Sequence, residues 1–262
     1  MKKYTFAKVI ENKEIALKIY DMYIYCPEIA QAAHEGQFIN IYLERKDLIL
    51  PRPISICEIN KEEGILRIIY QIAGKGTLEM SFIPSESTIR ISGPFGNGFM
   101  PEKGKNIAVI GGGVGVPPLL ELSKKLIAEE NNTIEVFTGF RSKDHVILEE
   151  AFKALGIENH ISTDDGSMGF QGNALQCFKN SGFKADIIYA CGPSIMLKFI
   201  ASYAEEENIG AYLSFEERMA CGFGTCVCCA IKIKNASSVG YEYKKVCKDG
   251  PVFLSKEVFW DE

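Results

Sequence analysis

Thiols stand close together in the stretch CGFGTCVCC, which runs from Cys221 to Cys229. Cys221, Cys226 and Cys229 have the spacing C-x4-C-x2-C, and a further thiol follows at Cys247. Four thiolates with this uneven spacing are the ligand pattern of a 2Fe-2S cluster, in which one loop wraps the cluster and a distant cysteine completes the set. The pattern therefore predicts a redox centre that moves single electrons.

The loop also contains Gly222 and Gly224, and glycine reaches the positive-φ conformations that turn backbone N–H groups toward anionic sulfur. Other interpretations stay open. Structural zinc usually takes its cysteines as two short pairs, whereas the second half here offers only Cys247. A disulfide framework and simple buried cysteines are the remaining alternatives. Cys228 leaves open which neighbour is the ligand, although the C-x2-C spacing favours Cys229.

A second motif is the glycine run GGGVGVPPL, from Gly111 to Leu119. It follows a predicted strand and precedes a predicted helix, so its backbone N–H groups favour a pyrophosphate. The run does not satisfy G-x-G-x-x-G, because Val116 or Pro118 takes the place of the last glycine. A tight turn without a ligand stays open as an alternative. The glycines that we associate with a nucleotide are Gly111, Gly112, Gly113 and Gly115.

The sequence CGP at residues 191–193 ends another predicted strand on the same sheet edge, where open α/β sheets bind ligands. Core packing of Cys191 is an equal alternative. Asp164 and Asp165 also follow a strand region near this edge, and carboxylates there would repel a 2′-phosphate. We therefore expect NAD rather than NADP. No histidine has a recognisable catalytic or metal spacing, and we predict no catalytic residue.

Two weaker motifs lie in the first hundred residues. Residues 52–55, RPIS, begin a predicted strand with a guanidinium, whose planar fork suits phosphate oxygens. Residues 69–71, IYQ, are followed by Gly74, Gly76 and Thr77, a glycine turn suited to the same anion. Each motif alone more often has a structural role than a role in ligand binding. Their position ahead of an α/β domain and a cluster loop strengthens the site interpretation.

The first hundred residues contain β-branched or aromatic runs separated by turns. Short strands with no long helix predict a small closed antiparallel barrel. The glycine-rich run from Gly93 to Phe99 marks its end, because it cannot sustain regular structure. We place the predicted strands at Tyr4–Ile10, Ile15–Tyr25, Gln37–Leu43, Ile54–Ile59, Ile65–Ile72 and Thr88–Ser92.

From Asn106 onward, strands alternate with helical periods, which predicts an α/β domain with a parallel sheet. Ser194 is the predicted cap of a later helix. We place strands at Ile107–Ile110, Ile134–Thr138 and Ile187–Ala190, and helices around Leu119–Leu126, Leu148–Leu155 and Met196–Tyr203.

Composition sets outer bounds on the function. The 262 residues suffice for two domains and a small third one. A net charge of -5, with Lys and Arg dispersed, excludes a basic surface for nucleic acid and a polybasic membrane patch. Nine cysteines without a secretory signal predict a reducing, cytoplasmic location. No apolar run is long enough to span a bilayer.

The order of the motifs carries a resemblance over the whole chain. RPIS, IYQ with GKGT, GPFGNGF, GGGVGVPPL, CGP and ERMACGFGTCVCC follow one another, and the tail ends in VCKDGPVF and FLSKEV. This order resembles the ferredoxin reductase superfamily and, within it, the family of dihydroorotate dehydrogenase B electron-transfer subunits. The resemblance implies an N-terminal flavin-binding antiparallel β-barrel over 1–101, a parallel-sheet NAD-binding α/β domain over 102–212 and a small 2Fe-2S domain over 213–262.

The resemblance also implies which residues bind the cofactors. It favours Cys229 over Cys228 as the third ligand. The residues implied to contact FAD are Arg52, Pro53, Ile54, Ser55, Ile69, Tyr70, Gln71, Gly76 and Thr77. The residues implied to hold the 2Fe-2S cluster are Cys221, Cys226, Cys229 and Cys247.

The implied function is electron transfer between two substrates in pyrimidine biosynthesis. In the family, a separate FMN-containing catalytic subunit oxidises dihydroorotate, and this chain would pass the electrons through its cluster and FAD to NAD+. A flavin must lie between the cluster and NAD+, because a cluster moves one electron whereas nicotinamide accepts a hydride. We expect a heterotetramer with two subunits of each kind.

Two alternatives remain open. The first is a related flavin and iron-sulfur subunit of another complex with the same domain order, such as an NADPH:ferredoxin transhydrogenase or a sulfide dehydrogenase. A flavin-binding or zinc-stabilised interaction module without enzymatic activity is the second alternative, and it would show no reduction of bound flavin by NADH.

Overall fold

The computed structural model describes residues 4–129, 131–236 and 240–260. The outer ends of the first and last predicted domains, residues 1–3 and 261–262, lie outside the described residues. Across the described residues, no helix is both long and apolar enough to cross a bilayer.

The N-terminal strands form a barrel, as predicted. They are β1 (Thr5–Ala16), β2 (Ile19–Tyr25), β3 (Phe38–Tyr42), β4 (Arg52–Asn60), β5 (Ile65–Gln71) and β6 (Thr88–Phe95). All neighbours pair antiparallel, and the sheet closes in the order β1-β2-β5-β4-β3-β6. Inward side chains such as Ile39, Ile41 and Ile68 are completely buried and form the barrel core. This core explains why β-branched runs predicted the strands well.

Two details of the barrel differ from the sequence prediction. A single strand over Ile15–Tyr25 is wrong, because Lys18 has a φ of 58° and turns the chain between β1 and β2. Two short helices also interrupt the strands, α1 (Pro27–Ala32) and α2 (Lys75–Ser81). The predicted glycine turn at 74–77 is therefore the beginning of α2. Seven residues are too few for a helical period to be visible in the sequence.

The second half is an α/β sheet, also as predicted. Its elements are β7 (Asn106–Gly112), α3 (Pro117–Ala128), β8 (Thr133–Phe140), α4 (Glu149–Ala154), β9 (Glu158–Thr163), β10 (Phe170–Gln171), α5 (Ala174–Ser181), β11 (Ile187–Cys191), α6 (Ser194–Glu206) and β12 (Gly210–Ser214). Ser194 is not the cap of α6 but its first residue, since Pro193 precedes the helix and no side chain caps it. The strands β7 to β12 pair in parallel.

The C-terminal segment packs on both halves. It contains the hairpin β13 (Ala230–Lys234) and β14 (Tyr241–Lys245) and the strand β15 (Val252–Leu254). β15 pairs antiparallel with β12, so that the central sheet has the order β10-β9-β8-β7-β11-β12-β15. Toward the barrel, Asn97 donates its backbone N–H to the Gly250 carbonyl at 2.6 Å. The prediction that the run Gly93–Phe99 cannot sustain regular structure is wrong for its first three residues, because β6 continues to Phe95. The rest of the run is a contact surface for this segment.

Candidate functional site

The four predicted cluster ligands lie together as two pairs. The Sγ atoms of Cys221 and Cys226 are 3.3 Å apart. The thiol of Cys247 is hydrogen-bonded to Cys229, and both side chains are buried. Cys228, in contrast, is exposed. Each iron of a 2Fe-2S cluster takes two protein thiolates besides its two bridging sulfides, so two pairs of thiols fit this group.

Backbone donors surround the sulfurs. The Gly224 N–H donates to Cys247 Sγ at 3.1 Å, and the Cys226 N–H donates to Cys221 Sγ at 3.4 Å. Burial opposes ionisation of the Cys221 thiol, but hydrogen bonds from backbone N–H groups, that of Cys226 first, lower its pKa to about 6. Burial raises the pKa of Cys247 to about 12, and the Cys229 thiol adds to this effect. Iron binding must therefore displace a proton from the Cys247 thiol.

Two residues that sequence reasoning missed contact the cluster loop. Asn40 of β3 donates from Nδ2 to the Cys221 carbonyl at 3.2 Å. Lys245 donates from Nζ to the Gly224 carbonyl at 2.7 Å, which places an ammonium group beside the loop. Asn40 and Cys221 are 181 residues apart, so no spacing rule links them. A cation close to an anionic cluster generally changes the reduction potential of the cluster. The lysines are dispersed along the sequence, so their pattern did not point to Lys245.

A cavity of about 900 Å³ opens at the carboxyl ends of β7, β8 and β11. Gly112, Gly113 and Gly115 line it, as predicted for a nucleotide. Gly111 does not, because its Cα faces Val116 and Leu119, which a Cβ there would approach to 2.8 and 2.9 Å. The volume is in the range of cofactor sites, and its position is that of ligand sites in open α/β sheets.

The structure brings the glycine run that begins at Gly111 and the CGP sequence at residues 191–193 together. A Cβ on Gly115 would come within 2.6 Å of the Cys191 backbone, so only glycine permits this approach. Gly192 and Pro193 line the cavity, whereas the Cys191 side chain is 1% exposed in the core. The thiol of Cys191 is therefore part of the core, whereas Gly192 and Pro193 belong to the cavity.

Other cavity-lining residues were missed by the sequence analysis. Residues 139–141 lie at the carboxyl end of β8, and the rule that ligands bind at strand ends would have found them. Asn173 caps α5 by accepting the Gln176 N–H at 2.9 Å, a capping box visible in the sequence. Glu216 borders the cavity just beyond β12, and partial loss of hydration there raises the pKa of its carboxyl.

The two predicted acidic residues differ in position. Asp164 lines the cavity. Asp165 instead accepts hydrogen bonds from the Ser167 backbone N–H at 3.0 Å and from its hydroxyl at 2.6 Å, and these contacts lower the pKa of its carboxyl. Only Asp164 is therefore placed to meet a nucleotide in this cavity.

Arg52 and α2 form the most polar part of the predicted flavin site. The guanidinium of Arg52 donates to the Leu50 carbonyl and packs directly on Gly76, where a Cβ would lie 1.7 Å from Nε. Thr77 Oγ1 accepts the backbone N–H groups of Ala73 and Gly74, at 2.8 and 3.2 Å, and fixes the turn before α2. Gly76 thus makes room for an arginine that suits a phosphate group.

Exposed apolar residues neighbour Arg52 and Thr77 in the chain. Ile49 and Leu50 precede Arg52, and Leu78 follows Thr77 on α2; all three are exposed. A charged fork beside exposed apolar groups fits a ligand that has both a phosphate and a flat ring system, as FAD does.

The remaining predicted flavin residues fall into two groups. Residues 53–55 are half-buried on β4 and pair with β3. Ile69 and Tyr70 are buried and pair with β2, and the Tyr70 hydroxyl donates to Asn12 Oδ1 at 2.9 Å. Gln71 lines the cavity together with Ile19. The barrel and the glycine run that begins at Gly111 therefore line the same cavity.

Comparison with known proteins agrees with this geometry. Residues 216–259 match the model of a family described as the iron-sulfur cluster binding domain of dihydroorotate dehydrogenase B. Over 254 residues the chain is 39% identical to the dihydroorotate dehydrogenase B (NAD(+)) electron transfer subunit of Bacillus cereus (strain G9842), covering 95% of this chain and 96% of the relative. This chain belongs to that family of electron transfer subunits. The subunit from Bacillus anthracis (strain CDC 684 / NRRL 3495) is 38% identical with the same coverage.

Solved structures give the same fold. An NADH-dependent reduced ferredoxin-NADP oxidoreductase, studied for flavin-based electron bifurcation, is 31% identical, with a TM-score of 0.87 over 97% of this chain and 90% of that chain. The ferredoxin reductase of carbazole 1,9a-dioxygenase is 18% identical, with a TM-score of 0.66 over 79% of this chain and 66% of that chain. At that identity the second likeness concerns the fold alone.

Several predictions from the sequence are thereby confirmed. The family, the barrel and α/β fold class, the electron-transfer role and the cofactor set of FAD, a 2Fe-2S cluster and NAD all agree with the family and the fold. The name of an electron transfer subunit also implies a catalytic partner subunit. The identity of the four cluster ligands, the individual flavin and nucleotide contacts and the domain boundaries stay predictions.

Proposed function

We propose that this electron transfer subunit passes electrons from the FMN of a dihydroorotate dehydrogenase catalytic subunit, through a 2Fe-2S cluster and FAD, to NAD+ in pyrimidine biosynthesis. One observation carries the proposal. The loop with the paired thiols of Cys221 and Cys226 contacts β3, and β3 pairs with the strand that begins at Arg52. The cluster ligands and the proposed flavin strand are therefore neighbours, as a relay requires.

The proposed order of cofactors follows from their chemistry. A flavin exchanges one electron or a hydride, so it connects a one-electron cluster with nicotinamide. Ile19 and Gln71 of the barrel border the same cavity as Gly112 and Gly113 of the nucleotide turn. This common space supports a flavin edge and a nicotinamide in contact. The protein itself then needs to bind and orient the two groups.

The proposed residues are those predicted from the sequence. The cluster would be held by Cys221, Cys226, Cys229 and Cys247. FAD would be contacted by Arg52, Pro53, Ile54, Ser55, Ile69, Tyr70, Gln71, Gly76 and Thr77, and NAD by Gly112, Gly113 and Gly115, with Gly111 supporting the turn from behind. We also propose the division into 1–101, 102–212 and 213–262.

The catalytic partner is proposed to contain FMN and to form a heterotetramer with two copies of each subunit. Phe223 and Val227 of the cluster loop are exposed, which supports this loop as the contact surface. The nine cysteines, all within the described residues, carry free thiols, and this supports a reducing compartment such as the cytoplasm.

A second candidate function deserves one test. The likeness to an NADH-dependent reduced ferredoxin-NADP oxidoreductase, at 31% identity and a TM-score of 0.87, favours a flavin and iron-sulfur subunit of such a complex as the alternative. The two functions differ in their partner. Co-purification from the native source followed by identification of the bound chain separates them.

The main experiment combines this chain, isolated without oxygen, with the catalytic subunit. We expect dihydroorotate-dependent reduction of NAD+ by the mixture, and none when the chain carries Cys226→Ser and lacks its cluster. Alone, the chain is expected to pass electrons from NADH to an artificial acceptor but not to oxidise dihydroorotate. Oxidation of dihydroorotate by this chain alone, or one zinc in place of iron, would refute the proposal.

A further inference from the structure

Asn40 lies where the barrel meets the cluster loop. It stands on the outward side of β3 together with Phe38, yet its side chain is 0% exposed. The C-terminal segment buries this side of the strand, since Phe38 packs in one core with Cys229 and Cys247. A polar side chain on the outer surface of the barrel is thus covered by the segment that carries the cluster ligands.

The contact between Asn40 and the loop is direct at two neighbouring residues. Its Nδ2 donates to the carbonyl oxygen of Cys221, a proposed cluster ligand, at 3.2 Å. The next residue, Gly222, lies so close that a Cβ there would stand 2.4 Å from Nδ2 and 2.6 Å from Oδ1. The loop therefore rests on the amide, and the absence of a side chain at Gly222 makes this possible.

The other end of the amide has no partner among the residues that the structure describes. Asn40 Oδ1 is buried, and no residue in the described parts of the chain donates a hydrogen bond to it. A buried acceptor without a donor is unfavourable, and an apolar side chain of similar size would avoid this cost. An amide at this position is therefore difficult to explain by packing alone.

The backbone of Asn40 pairs with the proposed flavin strand. On one side it pairs with Pro53 of β4, inside the stretch that begins with Arg52, and on the other side it pairs with Ser92 of β6. Its backbone thus belongs to the flavin-binding strands while its side chain holds a cluster-ligand residue. The distance between a cluster and a flavin depends on such a connection, and small displacements of reacting groups change rates strongly.

We propose that Asn40 is the positioning residue that fixes the Cys221 end of the cluster against the flavin-binding strands. The inference rests on the proposed function. The step that it serves moves one electron, so that the cluster is oxidised by one electron while the flavin is reduced by one, or the reverse. The amide gains and loses nothing in this step and acts only through Cys221 and Gly222.

Substitution of Asn40 in the full chain, loaded with cluster and flavin, tests the proposal. Asn40→Asp keeps the shape but replaces the donor by an acceptor, which then faces the Cys221 carbonyl. We expect shifted g-values in the electron paramagnetic resonance spectrum of the reduced cluster. We also expect cluster reduction by NADH to slow by about tenfold or more, the effect of about 1.4 kcal/mol, with an unchanged FAD content.

Asn132→Asp is a matched control. The Asn132 Nδ2 donates to the Glu102 and Leu126 carbonyls at 2.9 and 3.1 Å, in the α/β half and outside the cluster loop. The same change of amide to carboxylate there removes partly buried hydrogen bonds without touching the loop. It is expected to lower thermal stability and to leave the g-values and the reduction rate as in the wild type.

A second pair of variants changes the loop side of the contact with Asn40. These variants test the proposal even if the Asn40 variants lose their cluster. Gly222→Ala places a methyl group against the Asn40 amide, whereas Gly224→Ala meets the flexible side chain of Lys248. Both glycines have positive φ, 70° and 90°, so backbone strain is matched. We expect the spectral shift and slower reduction from Gly222→Ala, with smaller changes from Gly224→Ala. Wild-type values for Gly222→Ala would overturn the proposal, as would wild-type values for a loaded Asn40→Asp chain.

The proposed function fails in a different way. It would fail in the wild-type chain itself, through a missing cluster signal or no transfer of electrons from NADH. Failure of the Asn40 inference instead leaves the wild-type chain active and makes its variants equal to it.

Discussion

The cluster loop and the nucleotide cavity recognise their cofactors in different ways. The loop offers four thiols between Cys221 and Cys247 whose sulfur atoms would bond directly to iron. The cavity collects its lining from Ile19 to Glu216, and much of that lining is glycine and backbone at strand ends. Side-chain identity therefore decides the first site, while backbone shape decides the second. Single substitutions are accordingly expected to abolish cluster binding but to weaken nucleotide binding by degrees.

The largest expected effect is loss of the cluster in Cys229→Ser. Cys229 is buried and hydrogen-bonded to Cys247. Replacing its thiol by a hydroxyl therefore removes one thiolate of a buried pair. We expect iron content and visible absorbance to disappear. Cys228→Ser is the control, because the neighbouring thiol is exposed, and it is expected to keep the cluster. The reverse result would reassign the ligand to Cys228.

Arg52→Ala is expected to weaken FAD binding by roughly ten- to a hundredfold. The reason is the loss of a charge-assisted contact with phosphate, which is worth about 1.5–3 kcal/mol. Retention of FAD through dialysis, or a titration of the flavin-free chain, measures the effect. Arg45→Ala serves as control, since Arg45 is already paired with Asp47 at 2.8 Å and Glu79 at 3.1 Å. Equal FAD retention in both variants would speak against the assignment of Arg52.

Asp164→Asn is expected to raise the rate with NADPH relative to NADH by about fivefold. The exposed carboxylate repels a 2′-phosphate by about 1 kcal/mol, and the amide does not. The ratio of kcat/KM for the two nucleotides is the measurement. Asp165→Asn is the matched control, because that carboxylate is bonded to Ser167. A larger change in Asp165→Asn than in Asp164→Asn would exchange their roles.

The smallest expected effect concerns Lys245→Met and the reduction potential of the cluster. The ammonium beside Gly224 stabilises the more negative, reduced cluster, so its removal lowers the midpoint potential by about 20–40 mV, or 0.5–1 kcal/mol. Potentiometric titration of the visible spectrum measures the shift. Lys244→Met, on the same strand but near Glu242 at 4.0 Å, is expected to leave the potential unchanged. A higher potential in Lys245→Met would contradict this account.

The same contrast explains what could be predicted from the sequence. Thiol spacing predicted the cluster ligands because their chemistry lies in the side chains and most of them are close in sequence. Strand runs and helical periods predicted the barrel and the parallel sheet, since burial imposes those patterns. α2 and the turn at Lys18 were missed, because such short features leave no period.

Contacts between distant segments were also invisible. Asn40 stands in an ordinary strand pattern, and its importance arises only when the cluster loop folds onto β3. Gly111 and Gly115 look equivalent in the glycine run, yet one supports the helix α3 and the other permits contact with β11. Local sequence contains the chemistry of single residues but not the packing that selects among them.

The antiparallel strand β15 has a consequence for the protein without its iron. β15 covers the outer edge of β12, and it follows closely on Cys247 in the chain. If loss of the cluster loosens this segment, the N–H and C=O groups of β12 become an open edge, to which strands of other molecules can pair. Oxidative damage to the cluster would then reduce solubility as well as electron transfer, and iron-depleted protein should self-associate more readily than the intact subunit.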